Sequence, residues 1–265
     1  MIKILIVNLM PKKIETENQF LNIFNNVPFK VKIDFLFMES YRPKNCDINY
    51  LKENYKSFKD IKKNKYDGMI ITGAPLEKFP FEQVSYWDEL VNIMEYSKTN
   101  IKTTIHICWG ALAGLYYHYD IPKRDLSKKI FGVFKHYIVD KRNKLLTGFD
   151  DEFLVPHSRF FYLKSEDIDK VKDLDILSKS DESGVYLVTN KDNSRIFMTG
   201  HGEYDRYTLY NEYDRDIKNG AYPCKPKNYF LGDKPVVKWK AHYNLLIINW
   251  IYHCILNKKG GVLSG

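Results

Sequence analysis

The chain is poor in cysteine and has no long apolar segment. Its 265 residues include four cysteines, and no two of them form a Cys-x-x-Cys pair. This spacing argues against a metal site and against a disulfide framework in so long a chain. No stretch approaches the roughly 18 uninterrupted apolar residues of a membrane span, and neither end shows a charged segment followed by an apolar one. We therefore expect a soluble, cytoplasmic protein with at least one thiol free to react.

No nucleic-acid-binding motif accompanies the excess of positive charge. The chain has 41 Lys and Arg against 33 Asp and Glu, a net charge of +8, which would suit an anionic partner such as nucleic acid or a phosphate-bearing small molecule. The most basic segment, residues 52–65, mixes both signs of charge with aromatic residues, a mixture typical of a solvated surface. We expect neither a nucleic acid nor a membrane as a partner.

No internal repeat, low-complexity tract or long linker divides the chain. Apolar runs typical of buried strands alternate with helix-compatible segments, with strands at 2–7, 31–37, 68–72 and 103–107 and helices at 14–27 and 84–97. Strand-like runs and a hairpin at 184–199 follow, and helices near 204–218 and 239–256 close the chain. The alternation predicts one α/β domain over residues 1–265, with a mostly parallel sheet and helices on both faces.

One cysteine lies where a predicted strand turns into a predicted helix. Cys108 directly follows the apolar run that ends at Ile107, and small residues typical of a helix come next. A sharp strand-to-helix turn exposes a side chain at the carboxyl edge of the sheet, where open α/β folds bind ligands. The first amides of the helix, beginning with that of Trp109, would stabilise a thiolate and donate to an oxyanion. The motif predicts a nucleophile, although a buried cysteine that only fills space would give the same pattern.

A second motif, His-x-Glu, also follows a predicted strand. His201 and Glu203 are two residues apart, so an extended segment would direct both side chains to one side. An imidazole that faces the thiol, with a carboxylate that fixes its tautomer, is the arrangement of a nucleophilic triad. The two motifs together predict a triad of Cys108, His201 and Glu203.

Five motifs occur in order along nearly the whole chain. They are Leu9-Met-Pro-Lys-Lys-Ile-Glu-Thr-Glu-Asn-Gln-Phe20, Thr72-Gly-Ala-Pro-Leu76, Cys108-Trp-Gly-Ala111, Pro156-His-Ser-Arg159 and Thr199-Gly-His-Gly-Glu-Tyr-Asp205. Together they resemble the homoserine O-acyltransferases of the homoserine transsuccinylase family. The resemblance implies a class I glutamine amidotransferase-like, flavodoxin-like fold. It also implies a ping-pong reaction of methionine biosynthesis, in which an acyl group passes from coenzyme A to cysteine and then to the hydroxyl of homoserine.

The resemblance also assigns catalytic roles to single residues. It implies that Cys108 is the nucleophile, His201 the general base and Glu203 its orienting partner. Lys13 matches a lysine assigned to the active site of the family. Backbone amides near Trp109 and at the Gly73-Ala74 turn would hold the oxyanion.

For the acceptor, the resemblance points to a set of polar residues. Lys129 matches a lysine that contacts the amino-acid substrate, and Ser158 and Arg159 fall at a substrate-binding loop. Arg215 would meet the acceptor carboxylate, which a guanidinium can bind through two hydrogen bonds. Glu212, which precedes Arg215 by one helical turn, would help to hold it.

Position 77 bears on the acyl donor. The family places a small residue there, which suits succinyl, or a glutamate, which suits acetyl. Glu77 fills space and adds negative charge where the free carboxylate of succinyl would lie. The residue predicts acetyl-CoA as a co-substrate, unless its side chain points to solvent. We expect no permanently bound cofactor.

Several alternatives stay open at this point. L-Serine is a second acceptor, because one methylene changes selectivity by only about 1–3 kcal/mol, and succinyl-CoA is a second donor. A glutamine amidotransferase would share the fold, but such enzymes usually show Gly-x-Cys-x-Gly, whereas His106 stands two residues before Cys108. A non-enzymatic binding protein on the same scaffold and a homodimer are also open.

Overall fold

A computed structural model describes residues 1–41, 46–220 and 223–257. The strands are β1 (Ile2–Val7), β2 (Val31–Leu36), β3 (Tyr55–Lys56), β4 (Tyr66–Ile71), β5 (Ile101–Ile107), β6 (Arg124–Ile138), β7 (Glu152–Tyr162), β8 (Leu174–Ser180), β9 (Gly184–Asn190), β10 (Arg195–Met198), β11 (Phe230–Leu231) and β12 (Lys234–Pro235). The helices are α1 (Lys13–Asn25), α2 (Ile48–Asn54), α3 (Phe58–Ile61), α4 (Trp87–Asn100), α5 (Trp109–Tyr119), α6 (Ser165–Asp169), α7 (Thr208–Lys218) and α8 (Lys240–Asn249). A π-helix, Trp250–Leu256, continues α8.

The main sheet has a parallel half and an antiparallel half. In the described part of the chain its order is β3-β2-β1-β4-β5-β10-β9-β8-β6-β7. Neighbouring strands are parallel from β3 to β10 and antiparallel from β10 to β7. In β1 every residue but Lys3 is buried, as expected for a strand that is covered on both faces. The predicted α/β fold is confirmed.

Helices cover both faces of the sheet at β5. A Cβ on Gly114 of α5 would lie 2.5 Å from Nδ1 of His106, so α5 packs closely over that side chain. On α8's π-helical continuation, Trp250 donates a hydrogen bond from Nε1 to Oγ1 of Thr103 at 3.1 Å. Because side chains alternate along a strand, Thr103 and His106 point to opposite faces. The two helices therefore cover β5 on both faces. They also fix the position of Cys108, which directly follows this strand.

The residues that the structure describes form two apolar clusters of different size. The larger cluster lies on the main sheet. It includes residues of the parallel strands, of α5, and of α8 with its π-helical continuation. The smaller consists of Phe131, Val133, Tyr204, Leu209, Tyr229 and Trp239. It fastens α7 to β6 and to the segment before α8. In the described residues, no helix has the length and apolarity needed to cross a membrane.

Candidate active site

Cys108 lies at a strained elbow between β5 and α5. Its backbone has φ 52° and ψ −114°, a conformation that residues other than glycine rarely adopt. The N–H of Cys108 donates to the carbonyl oxygen of Met198 at 2.7 Å, which ties the elbow to the end of β10. Gly110 allows α5 to start close to β4, because a Cβ there would lie 2.7 Å from the carbonyl oxygen of Thr72. The surrounding strands thus hold the thiol at the carboxyl edge of the sheet.

The elbow brings the cysteine next to His201. Strands β5 and β10 are parallel neighbours, so the residues after them meet at the same edge. A Cβ added to Gly73 would lie 3.2 Å from Cβ of Cys108 and 3.3 Å from Cε1 of His201, so Gly73 lies against both residues. The N–H of His201 donates to the carbonyl oxygen of Pro156 at 2.8 Å. The backbone of His201 is therefore held by β7 as well as by its connection to β10.

His201 pairs with Glu203 through a turn. Nδ1 of His201 and Oε1 of Glu203 are 2.6 Å apart, and both side chains are buried. An extended segment was expected here, but the structure has a turn. The chain reverses direction after β10, and the N–H of Tyr204 approaches the carbonyl oxygen of His201. The ring of Tyr204 stacks on the imidazole, with centroids 4.2 Å apart and an angle of 13° between planes. Tyr204 was not predicted as a site residue, although it lies within the motif at residues 199–205.

The charges around His201 favour its protonated form. Burial by itself lowers the pKa of His201, but the Cys108 thiolate and the Glu203 carboxylate raise it well above its usual value. The same thiol is a hydrogen-bond partner of the imidazole. A neighbouring negative charge stabilises an imidazolium. The arrangement thus supports a thiolate–imidazolium pair oriented by a buried carboxylate.

A cavity of about 480 Å³ opens at this edge of the sheet. Its walls include Cys108, His201 and Ala74 from the carboxyl edge of the sheet, Lys129 from β6 and Glu212 from α7. Gly73 and the start of α5 border the thiol, and the first amides of a helix have no acceptor within the helix. The cavity thus joins a nucleophile, amide donors and a charged wall, an arrangement suited to acyl transfer.

Glu212 is the centre of the charged wall. Its Oε1 accepts hydrogen bonds from Nζ of Lys129 and Oγ of Ser158, each at 2.6 Å. Nη2 of Arg215 lies 3.8 Å from the same oxygen and 2.6 Å from Oδ1 of Asp216. The structure therefore brings Lys129, Ser158 and Arg215 together. The resemblance predicted only a supporting role for Glu212, because its contacts with Lys129 and Ser158 join distant parts of the chain.

Arg159 is placed differently from its neighbour. Ser158 and Arg159 were expected in a loop, but both lie inside β7. Ser158 faces the cavity, and the buried Arg159 is not among the lining residues. Its guanidinium donates to the carbonyl oxygens of Phe161 and Ser183, and its Nε donates to Nδ1 of His157 at 3.2 Å. Alternation along the strand explains why only one of the two side chains reaches the cavity.

Lys13 is also outside the cavity, although Lys12 lines it. Nζ of Lys13 donates to the carbonyl oxygen of Asn8, at the end of β1. Burial lowers the pKa of Lys13 to about 8, while the nearby Cys46 acts in the opposite direction. The structure thus places Lys13 beneath the first turn of α1, next to a separate small cavity that Tyr86 also lines.

Glu77 lines the main cavity. Burial raises the pKa of Glu77, and the charges of His201 and Lys129 oppose that effect. The carboxylate thus lies within electrostatic range of both walls of the cavity. Among the residues that the structure describes, no group of three or more His, Cys, Asp and Glu side chains could hold a metal ion.

The chain is similar to known proteins over nearly its whole length. A family model described as homoserine O-succinyltransferase matches residues 1–260. The chain is 49% identical to a homoserine O-acetyltransferase of Bacillus cytotoxicus, over 99% of this chain and 88% of that protein. It is 50% identical to a homoserine O-acetyltransferase of Clostridium beijerinckii, over 96% of this chain and 85% of that protein.

Among solved structures, the chain is similar to a glutamine amidotransferase from Thermotoga maritima. The TM-score is 0.59, and the match covers 98% of this chain and 99% of that one. The sequence identity is 10%, so the likeness concerns the fold alone.

Proposed function

The chain belongs to the homoserine O-succinyltransferase family and is an acyltransferase, and from this premise we propose that it transfers an acetyl group from acetyl-CoA to the side-chain hydroxyl of L-homoserine. The reaction is a step of methionine biosynthesis. One observation carries the proposal: the buried pair of His201 and Glu203, the thiol of Cys108 and the charged wall around Glu212 all meet at one cavity.

In the first half-reaction, His201 takes the proton of the Cys108 thiol. The thiolate attacks the carbonyl carbon of acetyl-CoA, and the amides of Trp109 and the Gly73-Ala74 turn donate hydrogen bonds to the oxygen that becomes negative. When the tetrahedral intermediate collapses, the bond to the sulfur of coenzyme A breaks. The imidazolium gives its proton to that leaving sulfur, and an acetyl thioester remains on Cys108.

In the second half-reaction, the neutral imidazole of His201 takes the proton of the homoserine hydroxyl. The oxygen attacks the thioester carbon, and the same amides hold the second oxyanion. Cys108 leaves as a thiolate, which restores the thiolate–imidazolium pair and releases O-acetylhomoserine. Glu203 keeps Nδ1 of the ring occupied throughout, so that Nε2 exchanges the protons.

The charged wall would bind the amino-acid part of the acceptor. Glu212 already accepts two hydrogen bonds, and its carboxylate is suited to the ammonium group of homoserine. Arg215 is half exposed and lies at the rim, where its guanidinium can turn toward the carboxylate of homoserine. Lys129 and Ser158 hold Glu212 in place for this contact.

Glu77 would select the donor, because a second carboxylate in the cavity disfavours succinyl. For Lys13 and Arg159, which do not line the cavity, we propose supporting roles: Lys13 fixes the end of β1, and Arg159 fixes β7 behind Ser158. A homodimer and a cytoplasmic location stay predictions.

The proposal is tested by coenzyme A release with acetyl-CoA or succinyl-CoA as donor and L-homoserine or L-serine as acceptor. We expect the highest kcat/KM for acetyl-CoA with L-homoserine, and an acetyl adduct on Cys108 when the acceptor is omitted. Faster turnover of L-serine would show that the acceptor is serine and not homoserine. Glutaminase activity without acyl transfer would overturn the proposal.

A further inference from the structure

Tyr243, in the first turn of α8, packs its ring against the peptide between His201 and Glu203. If Gly202 carried a Cβ, that atom would lie 1.9 Å from Cδ2 and 2.2 Å from Cγ of Tyr243. Contacts shorter than 3.0 Å essentially never occur for real Cβ atoms. The small cavity that borders Gly202 and Tyr243 measures about 10 Å³, which is room for one water at most. The ring therefore occupies the place of a side chain at position 202.

Two buried polar atoms in this region have no partner among the residues that the structure describes. They are Oε2 of Glu203 and the hydroxyl oxygen of Tyr243. A carboxylate oxygen only accepts hydrogen bonds, whereas a phenol can donate one. Leaving such groups unpaired in the interior is energetically costly. The nearby Lys240 does not satisfy Oε2, because its Nζ donates to the backbone oxygen of Glu203 at 2.9 Å.

We propose that Tyr243 is a positioning residue for acyl transfer: its hydroxyl donates to one bridging water, which donates to Oε2 of Glu203, and its ring fixes the turn at Gly202. The carboxylate is then held from both oxygens, Oε1 by His201 and Oε2 by Tyr243. This inference rests on the proposed triad and adds a fourth member that acts through Glu203.

Other titratable groups near Glu203 provide a control. They are His201 and Tyr204 in its own segment, Tyr186 on β9, and Lys240 and Tyr243 on α8. Burial raises the pKa of Tyr186 and Tyr243, and the charge of Glu203 adds to the effect in both. The hydroxyl of Tyr186, however, reaches Sδ of Met198 at 3.7 Å. Tyr186→Phe therefore removes a buried hydroxyl at a similar place without removing the proposed hydrogen bond.

The first test compares Tyr243→Phe with Tyr186→Phe. Both variants keep the aromatic ring, so packing against Gly202 is preserved. We expect Tyr243→Phe to lower kcat about tenfold with KM for both substrates unchanged. The alkaline limb of the kcat/KM profile should move up by about half a pH unit, because a Glu203 carboxylate that has lost one hydrogen bond stabilises the His201 imidazolium more strongly. Tyr186→Phe should change neither. A Tyr243→Phe enzyme with wild-type kcat and pH profile overturns the inference.

The second test uses the steric contact. Gly202→Ala should lower kcat about a hundredfold or more, because the turn must move. In the Tyr243→Gly background the same substitution should cost less than tenfold, a non-additive result that reports direct contact. Equal losses in both backgrounds contradict the inference, and circular dichroism identifies any variant that does not fold, in which case Tyr243→Phe decides. If Cys108→Ala keeps its activity, the triad fails; if only Tyr243→Phe is neutral, the triad stands.

Discussion

The two sides of the cavity are built in different ways. The reaction side, formed by Cys108, His201 and Glu203, is buried, and its positions follow from strand ends, a strained elbow and a tight turn. The side that we propose to bind the acceptor, called the acceptor side below, is formed by Lys129, Ser158, Glu212 and Arg215. It consists of charged and polar side chains that bond to one another.

This difference suggests separate roles: the reaction side carries out the chemistry, and the acceptor side determines which acceptor binds. Backbone geometry and burial hold the reaction side in one arrangement, as catalysis requires to well within an ångström. The ion pairs of the acceptor side can be exchanged for contacts with a ligand, because Arg215 is half exposed and its partners are carboxylates like that of an amino acid. We therefore expect substitutions on the reaction side to affect kcat, and substitutions on the acceptor side to affect KM for the acceptor.

The largest effect should come from the nucleophile. Cys108→Ala should lower the rate of acyl transfer by about 10⁴-fold or more, because no other cysteine of the described residues lines the main cavity. The measurement is coenzyme A release together with intact mass after mixing with acetyl-CoA. Cys224→Ala removes an exposed free thiol and serves as the control with wild-type activity. Acetylation that persists in Cys108→Ala would show that the reaction side has been misplaced.

Glu203→Gln tests the next contact on the reaction side. We expect kcat to fall by about 10² to 10³ with KM for homoserine nearly unchanged. Because the Glu203 carboxylate raises the pKa of His201, its removal should lower that pKa. The imidazolium that protonates the leaving sulfur would then be lost at lower pH, so the alkaline limb of kcat/KM should shift downward. A pH profile over both limbs measures this, and an upward shift contradicts the assigned role.

Most of the reaction side could be predicted from short stretches of sequence. An apolar run that ends at Cys108 locates the elbow, and the spacing of His201 and Glu203 predicts their contact. The contact forms, but through a turn rather than an extended segment, because the chain reverses after β10. Spacing alone does not distinguish these two backbones.

Less of the acceptor side could be predicted from the sequence, because it depends on contacts between residues that are distant along the chain. Glu212 is separated from Lys129 by 83 positions and from Ser158 by 54, so no local pattern links them. The loop expected around Ser158 is part of β7, although Pro156 interrupts the strand signal. The strand β8 was not predicted either. Its polar residues do not alternate regularly, and its pairing with β9 contains register shifts.

Glu212→Gln tests the acceptor side. The amide keeps the shape but removes the charge that would meet the ammonium of homoserine, so we expect KM for homoserine to rise about 10- to 50-fold. The rate of Cys108 acetylation in the absence of acceptor should stay within about twofold, because the first half-reaction does not use this wall. Single-turnover mass spectrometry and steady-state kinetics separate the two steps. A slower acetylation with unchanged KM would break the division between the two sides.

Glu77→Ala should give the smallest effect and tests the boundary between the two sides. Glu77 is close enough to respond to His201 on one side and Lys129 on the other, so its charge acts on whatever acyl group lies between them. Removing it takes away both bulk and repulsion, and kcat/KM for succinyl-CoA should rise about tenfold relative to acetyl-CoA. Glu77→Gln, which keeps the bulk and loses the charge, should give only part of that gain. Donor competition with both acyl-CoAs measures the ratio. If Glu77→Gln matches Glu77→Ala, charge alone selects the donor, and if neither changes the ratio, the donor is selected by the backbone of the reaction side.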